Sequence, residues 1–168
     1  MAGPGAVNIP IEVLLIEDSP GDVRLMEESF RDVNKSLRLS FASDGAEAMA
    51  FLKREGAQAN APRPDLILLD LNLPKIDGRV VLENIKADPS LRQIPLIVLT
   101  TSDVEADVIR CYELQANCYI HKPKNWDMFH RMIRSINDFW LTEVTLLRRD
   151  NAALLAQSST AAALRVEH

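Results

Sequence analysis

Three acidic positions, far apart in the chain, could share one task. Glu17 ends the aliphatic run "IEVLLIE" (11–17) with Asp18 directly after it, and Asp70 ends "DLILLD" (65–70). A strand buried on both faces does not finish in a charge without a reason. Brought into one crevice, these carboxylates would repel one another and raise at least one pKa. A hard divalent cation removes that conflict. Mg²⁺ takes oxygen ligands in octahedral geometry and keeps several waters, so two carboxylates and a backbone carbonyl make a sensible site. The loop "LNLP" after Asp70 offers that carbonyl, with Asn72 best placed for it. Two more strand ends add to the set. Thr100-Thr101 supplies a hydroxyl, and Lys122-Pro123 supplies a compact cation on a bond that could turn tightly, in cis if required. Each has a plainer reading alone: Glu17-Asp18 as first-turn acids of a helix, Thr100 as a strand end, Lys122 as a surface lysine.

The elements that must position these residues alternate steadily. Strand patterns at 11–17, 37–43, 65–70, 95–101 and 117–121 alternate with helix patterns at 20–33, 44–56, 78–88, 103–115 and from about 126 onward. The first helix carries Val23, Met26, Phe30 and Val33 at helical spacing, with Pro20 where a missing N–H is harmless. The second marks one side with Ala46, Met49, Ala50 and Lys53 and closes at Gly56; Pro89 stops the third. "LRLSFAS" (37–43) alternates with period two, whereas the first, third and fourth strands are continuous aliphatic runs. Five βα units in series predict an α/β fold, a doubly wound five-stranded parallel sheet in the order 2-1-3-4-5, packed as a flavodoxin-like three-layer sandwich. In that order the first and third strands are neighbours where the order reverses, and ligands bind there at the carboxyl ends. Glu17, Asp18 and Asp70 then meet.

Read together, "LLIEDSPGD", "PDLILLDLNLPKIDG", "IPLIVLTTS" and "CYIHKP" resemble the receiver domain of two-component response regulators. Within that family, "EDSPGDVRL", "PRPDLILLDLNLP", "TTS" and "DFWL" are most similar to single-domain regulators that partner cyanobacterial-type phytochrome histidine kinases. The resemblance covers about residues 11–141. It implies that Asp70 accepts a phosphoryl group and that Asp18, with Glu17 chiefly through water, Asp70 and the Asn72 carbonyl hold Mg²⁺. It also implies that Thr100 is the switch hydroxyl, Tyr119 the switch aromatic and Lys122 the cation paired with the acyl phosphate. Asn72 and Ser102 take positions that tune dephosphorylation.

Composition narrows the alternatives. The 168 residues, 47% of them hydrophobic, suffice for one domain with a tail. The expected layout is an arm at 1–9, the receiver at 10–141, a helical extension or tail at 142–160, and a tail at 161–168 resembling a cloning scar beside a trimmed tag. A formal charge of −5 and the lack of any Lys/Arg run argue against nucleic-acid binding. Cys111 and Cys118 form neither a disulfide framework nor a metal spacing, and they read as free thiols. With no membrane span and no secretory leader pattern, a cytoplasmic location is expected. The 27 residues after Leu141 have no room for an output domain, so action by binding is expected.

The last helix places Phe129, Ile133, Ile136 and Trp140 on one stripe, with Met128, Met132 and Phe139 off it. Val144, Leu147 and Leu154 follow at near-heptad spacing. That surplus of apolar surface predicts a homodimer through Phe129, Phe139, Trp140, Val144 and Leu147, against the alternative of a tail packed on its own domain. His121 and His130 read as surface or partner-face residues. Two other functions compete: a pseudo-receiver that docks without phosphorylation, and a Mg²⁺-dependent phosphatase of the haloacid-dehalogenase type. The latter needs Asp-x-Asp where this chain has Glu-Asp-Ser.

Overall fold

Side-chain alternation on fully buried strands decides the architecture. The computed structural model describes residues 9–148. In β1 (Glu12–Ile16), β3 (Leu66–Leu69) and β4 (Leu96–Thr100) every residue is buried. Successive residues point to opposite faces of a strand. Leu14, Ile16, Ile67, Leu69, Leu96 and Val98 thus enter one apolar cluster, and Val13, Leu15, Leu66, Leu68, Ile97 and Leu99 enter a second. A sheet apolar on both faces needs a helical layer on each.

With β2 (Arg38–Ala42) and β5 (Cys118–His121) at the edges, the five strands run parallel in the order β2-β1-β3-β4-β5, as expected. Helices α1 (Pro20–Val33) and α5 (Trp126–Asp138) cover one face through Met26, Phe30, Phe129, Ile133 and Ile136. Helices α2 (Gly45–Lys53), α3 (Gly78–Ala87) and α4 (Glu105–Glu113) cover the other. Their hold is unequal. Helix α3 buries Val81, Leu82 and Ile85, whereas α4 buries Cys111 alone and has no side-chain cap at its N-terminus.

Some local expectations need correction. In α2 the buried side is Ala48, Met49, Phe51 and Leu52, with Ala46 exposed, and Arg54 in the left-handed region (φ 56°) caps the helix ahead of Gly56. An Ala-rich segment offers too little contrast to reveal its inner face. Strand β2 shows no in-and-out alternation, because three consecutive residues are half-buried at the sheet edge. No cis peptide occurs among the described residues, so Lys122-Pro123 is trans.

The largest departure follows α5. The helix ends at Asp138, a π-helical turn spans Phe139–Glu143, and Val144 is extended (ψ 132°). Leu146 then inserts into the core of the same domain, and Val144 and Trp140 pack against it. Arg148 donates to the backbone oxygens of Ile9 and Pro10 and pairs with Asp65 at 3.4 Å. Residues 144–148 therefore follow the tail reading. Phe129, expected at an interface, is 3% exposed and belongs to the core. Of the five expected interface residues only Phe139 is strongly exposed, at 57%. Leu147 is half-buried. Leu154, residues 1–8 of the expected arm and the expected tails from 149 lie outside the described residues. None of the described helices is long and apolar enough to cross a membrane.

Candidate functional site: an acidic pocket at the carboxyl edge

Strand pairing carries the acids to one place. The register sets Ile16 opposite Leu69, and the Asp70 N–H donates to the Ile16 carbonyl (3.0 Å), so Asp70 emerges beside Glu17. Carboxylate oxygens of Glu17, Asp18 and Asp70 lie within 4.8 Å of one another. Glu17 and Asp70 are buried, while Asp18 is exposed. This set of hard anionic donors, with one ligand facing solvent, fits a divalent cation such as Mg²⁺ that keeps part of its water shell.

The remaining strand ends converge as expected. The Lys122 N–H donates to the Thr100 carbonyl (2.8 Å) and continues the β4–β5 ladder past Thr100 and His121. From there the Lys122 ammonium, 3% exposed, reaches Asp70 Oδ2 at 2.9 Å, Asp22 Oδ2 at 2.8 Å and Glu17 Oε2 at 2.5 Å. The Thr100 hydroxyl donates to Asp70 Oδ1 (2.9 Å), and the Asn72 N–H donates to the same oxygen (3.1 Å). Ser102 meets the pocket through its N–H, which donates to Thr100 Oγ1 (3.3 Å). The Tyr119 hydroxyl donates to the Ser102 carbonyl (2.9 Å). Thr100 is thus turned toward Asp70 while Tyr119 reaches in behind it.

Two residues of this site escaped the sequence reading. Asp22 looks like an ordinary first-turn acid of α1, yet it is the third carboxylate on Lys122. Gly78 looks like a mere helix start. Its N–H donates to the Leu71 carbonyl, and a Cβ there would collide with the backbone of Asp70 and Leu71, so only glycine lets α3 start this close to the loop. Of the expected set, the structure gathers Glu17, Asp18, Asp70, Thr100 and Lys122 directly, with Asn72 and Ser102 one hydrogen bond away and Tyr119 two. His121 instead contacts the Thr101 carbonyl, and His130 lies against Trp126. Both cysteines are free, and burial pushes their thiols upward.

The electrostatics are uneven. Burial pushes Glu17 up to about 7, against the opposing pull of Lys122. Burial would raise Asp70 too, but the hydrogen bond and charge of Lys122, with the Asn72 N–H, hold it below its ordinary value. Burial acts to lower Lys122, and its bonds to Asp22, Glu17 and Asp70 outweigh that and raise it. The pocket therefore presents an ionised Asp70 with one oxygen on an ammonium and the other on a hydroxyl. Surface cavities of about 570 Å³ beside Glu17 and Asp18, and about 400 Å³ beside Lys122, flank the acidic cluster.

Comparison with known proteins agrees with this geometry. Residues 13–134 match the response regulator receiver domain. Response regulator Rcp1 of Synechocystis sp. is 50% identical over 139 residues, 83% of this chain and 95% of that protein. The crystal structure of its Mn(2+)-bound form superposes with a TM-score of 0.79 over 82% of this chain and 99% of that one. The phosphorylated cyanobacterial phytochrome response regulator RcpA superposes with a TM-score of 0.80 at 46% identity, over 83% of this chain and 99% of the other. With the order of the strands, the acids at their carboxyl ends and these matches in agreement, the chain belongs to the response regulator receiver family.

Proposed function

We propose that this protein accepts a phosphoryl group on Asp70 from the phosphohistidine of a sensor histidine kinase. The single observation that carries this reading is the state of Asp70: a buried carboxylate, ionised, with Lys122 on one oxygen and Thr100 on the other, beside Glu17 and Asp18. An Asp70 oxygen attacks phosphorus, the P–N bond breaks, and its electron pair leaves on the imidazole nitrogen. The transition state is loose, so positioning and neutralisation of charge supply most of the catalysis. Lys122 supplies a fixed cation at the oxygen where the phosphoryl group arrives. Mg²⁺, held by Asp18, Asp70 and the Asn72 carbonyl with Glu17 chiefly through water, would add positive charge against the phosphoryl oxygens.

The acyl phosphate brings roughly −1.5 to −2 charge. The Thr100 hydroxyl and nearby N–H groups answer it, which favours the conformer described here, with Thr100 on Asp70 and the Tyr119 hydroxyl on the Ser102 carbonyl. A tenfold bias between two conformers needs only about 1.4 kcal/mol, within reach of one or two charge-assisted hydrogen bonds. Asn72, one hydrogen bond from Asp70, and Ser102, two away through Thr100, set the lifetime of the product. The chain acts on its own phosphoryl group and turns over no separate substrate.

The likeness to the phytochrome response regulator RcpA supports a phytochrome as the cognate kinase, with both partners meeting in the cytoplasm. Exposed Val104, Ile109 and Tyr112 at the start of and on α4, and Met128 and Phe139 on and after α5, support a protein partner, with a second copy of this chain first among them. Nucleic acid is not among the ligands. Incubation with Mg²⁺ and a small acyl-phosphate donor, read on a phosphate-retaining gel, tests the reading. Wild type shifts and Asp70→Asn does not; a variant that still shifts places the phosphoryl group elsewhere, and an unshifted wild type returns the chain to a docking pseudo-receiver.

A further inference from the structure

Ser102 lies at the centre of a set of contacts that the pocket itself does not require. Its N–H donates to Thr100 Oγ1 and its carbonyl accepts from Tyr119, so its backbone orients both. Its side chain points away from Asp70. The Ser102 hydroxyl donates to Asp107 Oδ2 (2.6 Å) in the first turn of α4. Asp107 is gripped in turn by Arg79, whose Nε and Nη2 donate to its two oxygens at 2.7 and 2.5 Å. This is a bidentate pair across 28 residues of sequence, partly shielded from solvent, with side-chain exposures of 30% and 16%. Planar two-point recognition of this kind fixes orientation as well as distance.

The two partners stand on unequal ground. Arg79 is the second residue of α3, and Gly78 before it is pressed onto the backbone of Asp70 and Leu71. Arg79 also donates to Asp77, which caps the same helix, so its base is tied to the strand bearing the phosphoacceptor. Asp107 sits on α4, the helix with one buried residue and no side-chain cap. The β4–α4 loop and the start of α4 are therefore referenced to Asp70 through one guanidinium.

We propose that Arg79 is a positioning residue for phosphotransfer: by clamping Asp107 it holds Ser102, and through Ser102 it keeps Thr100 turned toward Asp70 and the Tyr119 hydroxyl on the Ser102 carbonyl. This rests on the phosphoacceptor reading and adds a residue to it. Without the clamp, α4 and its loop are released, and the arrangement that receives the phosphoryl group becomes one of several conformers. The rate falls with its population.

The test is the initial rate of Asp70 labelling by a small acyl-phosphate donor with Mg²⁺, well below the unfolding temperature, in wild type, Arg79→Ala, Arg79→Gln, Asp107→Asn and the Arg79→Ala/Asp107→Asn double variant. Each single variant is expected to slow labelling about fivefold, at the lower end of coupling between sites. The double variant is expected to be no slower than the slower single, since both remove one contact. Arg79→Lys should recover part of the rate by restoring the charge without the fork. Amide hydrogen exchange should quicken at residues 101–104 and stay unchanged in β1 and β3. Wild-type rates in the single variants overturn the clamp, as does a multiplicative loss in the double or quickened exchange spread over the whole sheet. An unlabelled wild type overturns the phosphoacceptor reading, and the clamp with it, whereas a labelled wild type with indifferent variants overturns the clamp alone.

Discussion

Strand β3 is bracketed by two aspartates that meet opposite fates. Asp65 precedes it and Asp70 follows it; they are 1% and 5% exposed. Both accept a backbone N–H, from Glu12 and from Asn72, and both face a long-range cation, Arg148 and Lys122. They differ in the balance of charge around them. At the amino end, Glu12 pairs with Arg38 and Asp65 with Arg148, two acids against two guanidiniums. At the carboxyl end, Glu17, Asp22 and Asp70 share the one ammonium of Lys122, and Asp18 stands beside them. Burial is thus common to both carboxylates. The surplus of negative charge, which favours a metal ion, separates them.

The sharpest way to break this comparison is to neutralise each aspartate in turn. Asp70→Asn is expected to abolish labelling by an acyl-phosphate donor and to stay folded with an earlier unfolding midpoint, because the charge of Asp70, held by Lys122, stabilises the fold. Asp65→Asn should label at the wild-type rate per folded molecule and unfold earlier. Labelling and calorimetry on the same samples check both. If Asp65→Asn lost labelling while remaining folded, the two ends would not be separable as described here.

Lys122→Ala comes next. Removing one partner of a buried charge cluster typically costs about 3–5 kcal/mol, since the remaining charges are left uncompensated. The sign with pH follows from Asp70. Its folded-state value lies below the unfolded 3.8, so its stabilising contribution is present above that pH and is lost as the pH falls through the folded value. In the variant, crowded carboxylates gain protons more readily in the folded state, so acidification relieves them. Denaturation curves for wild type and variant are therefore expected to converge as the pH is lowered toward 4, and a pH-independent gap would contradict the cluster.

A smaller loss is expected at the closed end. Asp65→Ala takes the acceptor from the Glu12 N–H and the counter-ion from Arg148, a cost of about 1–3 kcal/mol. Arg148→Ala should cost less, about 1 kcal/mol, because its side chain is 25% exposed and screened. Urea titration of the two single variants and the double checks the pairing: the double should be less destabilised than the sum.

The sequence revealed the open end better than the closed one, for a physical reason. Strand ends after aliphatic runs are fixed by periodicity, and once the strand order is set, Glu17, Asp18, Asp70, Thr100 and Lys122 must share an edge. All five strand positions and the full span of α1 were read to within one or two residues. Asp22 was missed because an acid in a first turn has a sufficient local explanation. Arg79 and Arg148 were missed because a cation whose partner is 28 or 83 residues away leaves no periodic trace. The course of the chain after α5 stayed open between a helical extension and a tail for a related reason: the apolar spacing of Val144 and Leu147 is compatible with a helix, and only the burial of Leu146 shows that the chain turns back.

The smallest expected effect on the monomer concerns the outer surface beyond α5. Phe139 is 57% exposed and sits edge-on to Trp140, with ring centroids 5.7 Å apart, whereas Phe129, on the same helical segment, lies in the core. Phe139→Ser should therefore change stability by no more than about 0.5 kcal/mol, as surface substitutions usually do, while Phe129→Ala should cost about 3–5 kcal/mol. If a second copy of the chain covers this surface, Phe139→Ser should lower the molar mass measured by light scattering toward that of one chain and leave labelling of Asp70 intact. If wild type is a dimer and the variant keeps its mass, the contact lies elsewhere, with Val104, Ile109 and Tyr112 of the α4 segment the next exposed apolar group to substitute.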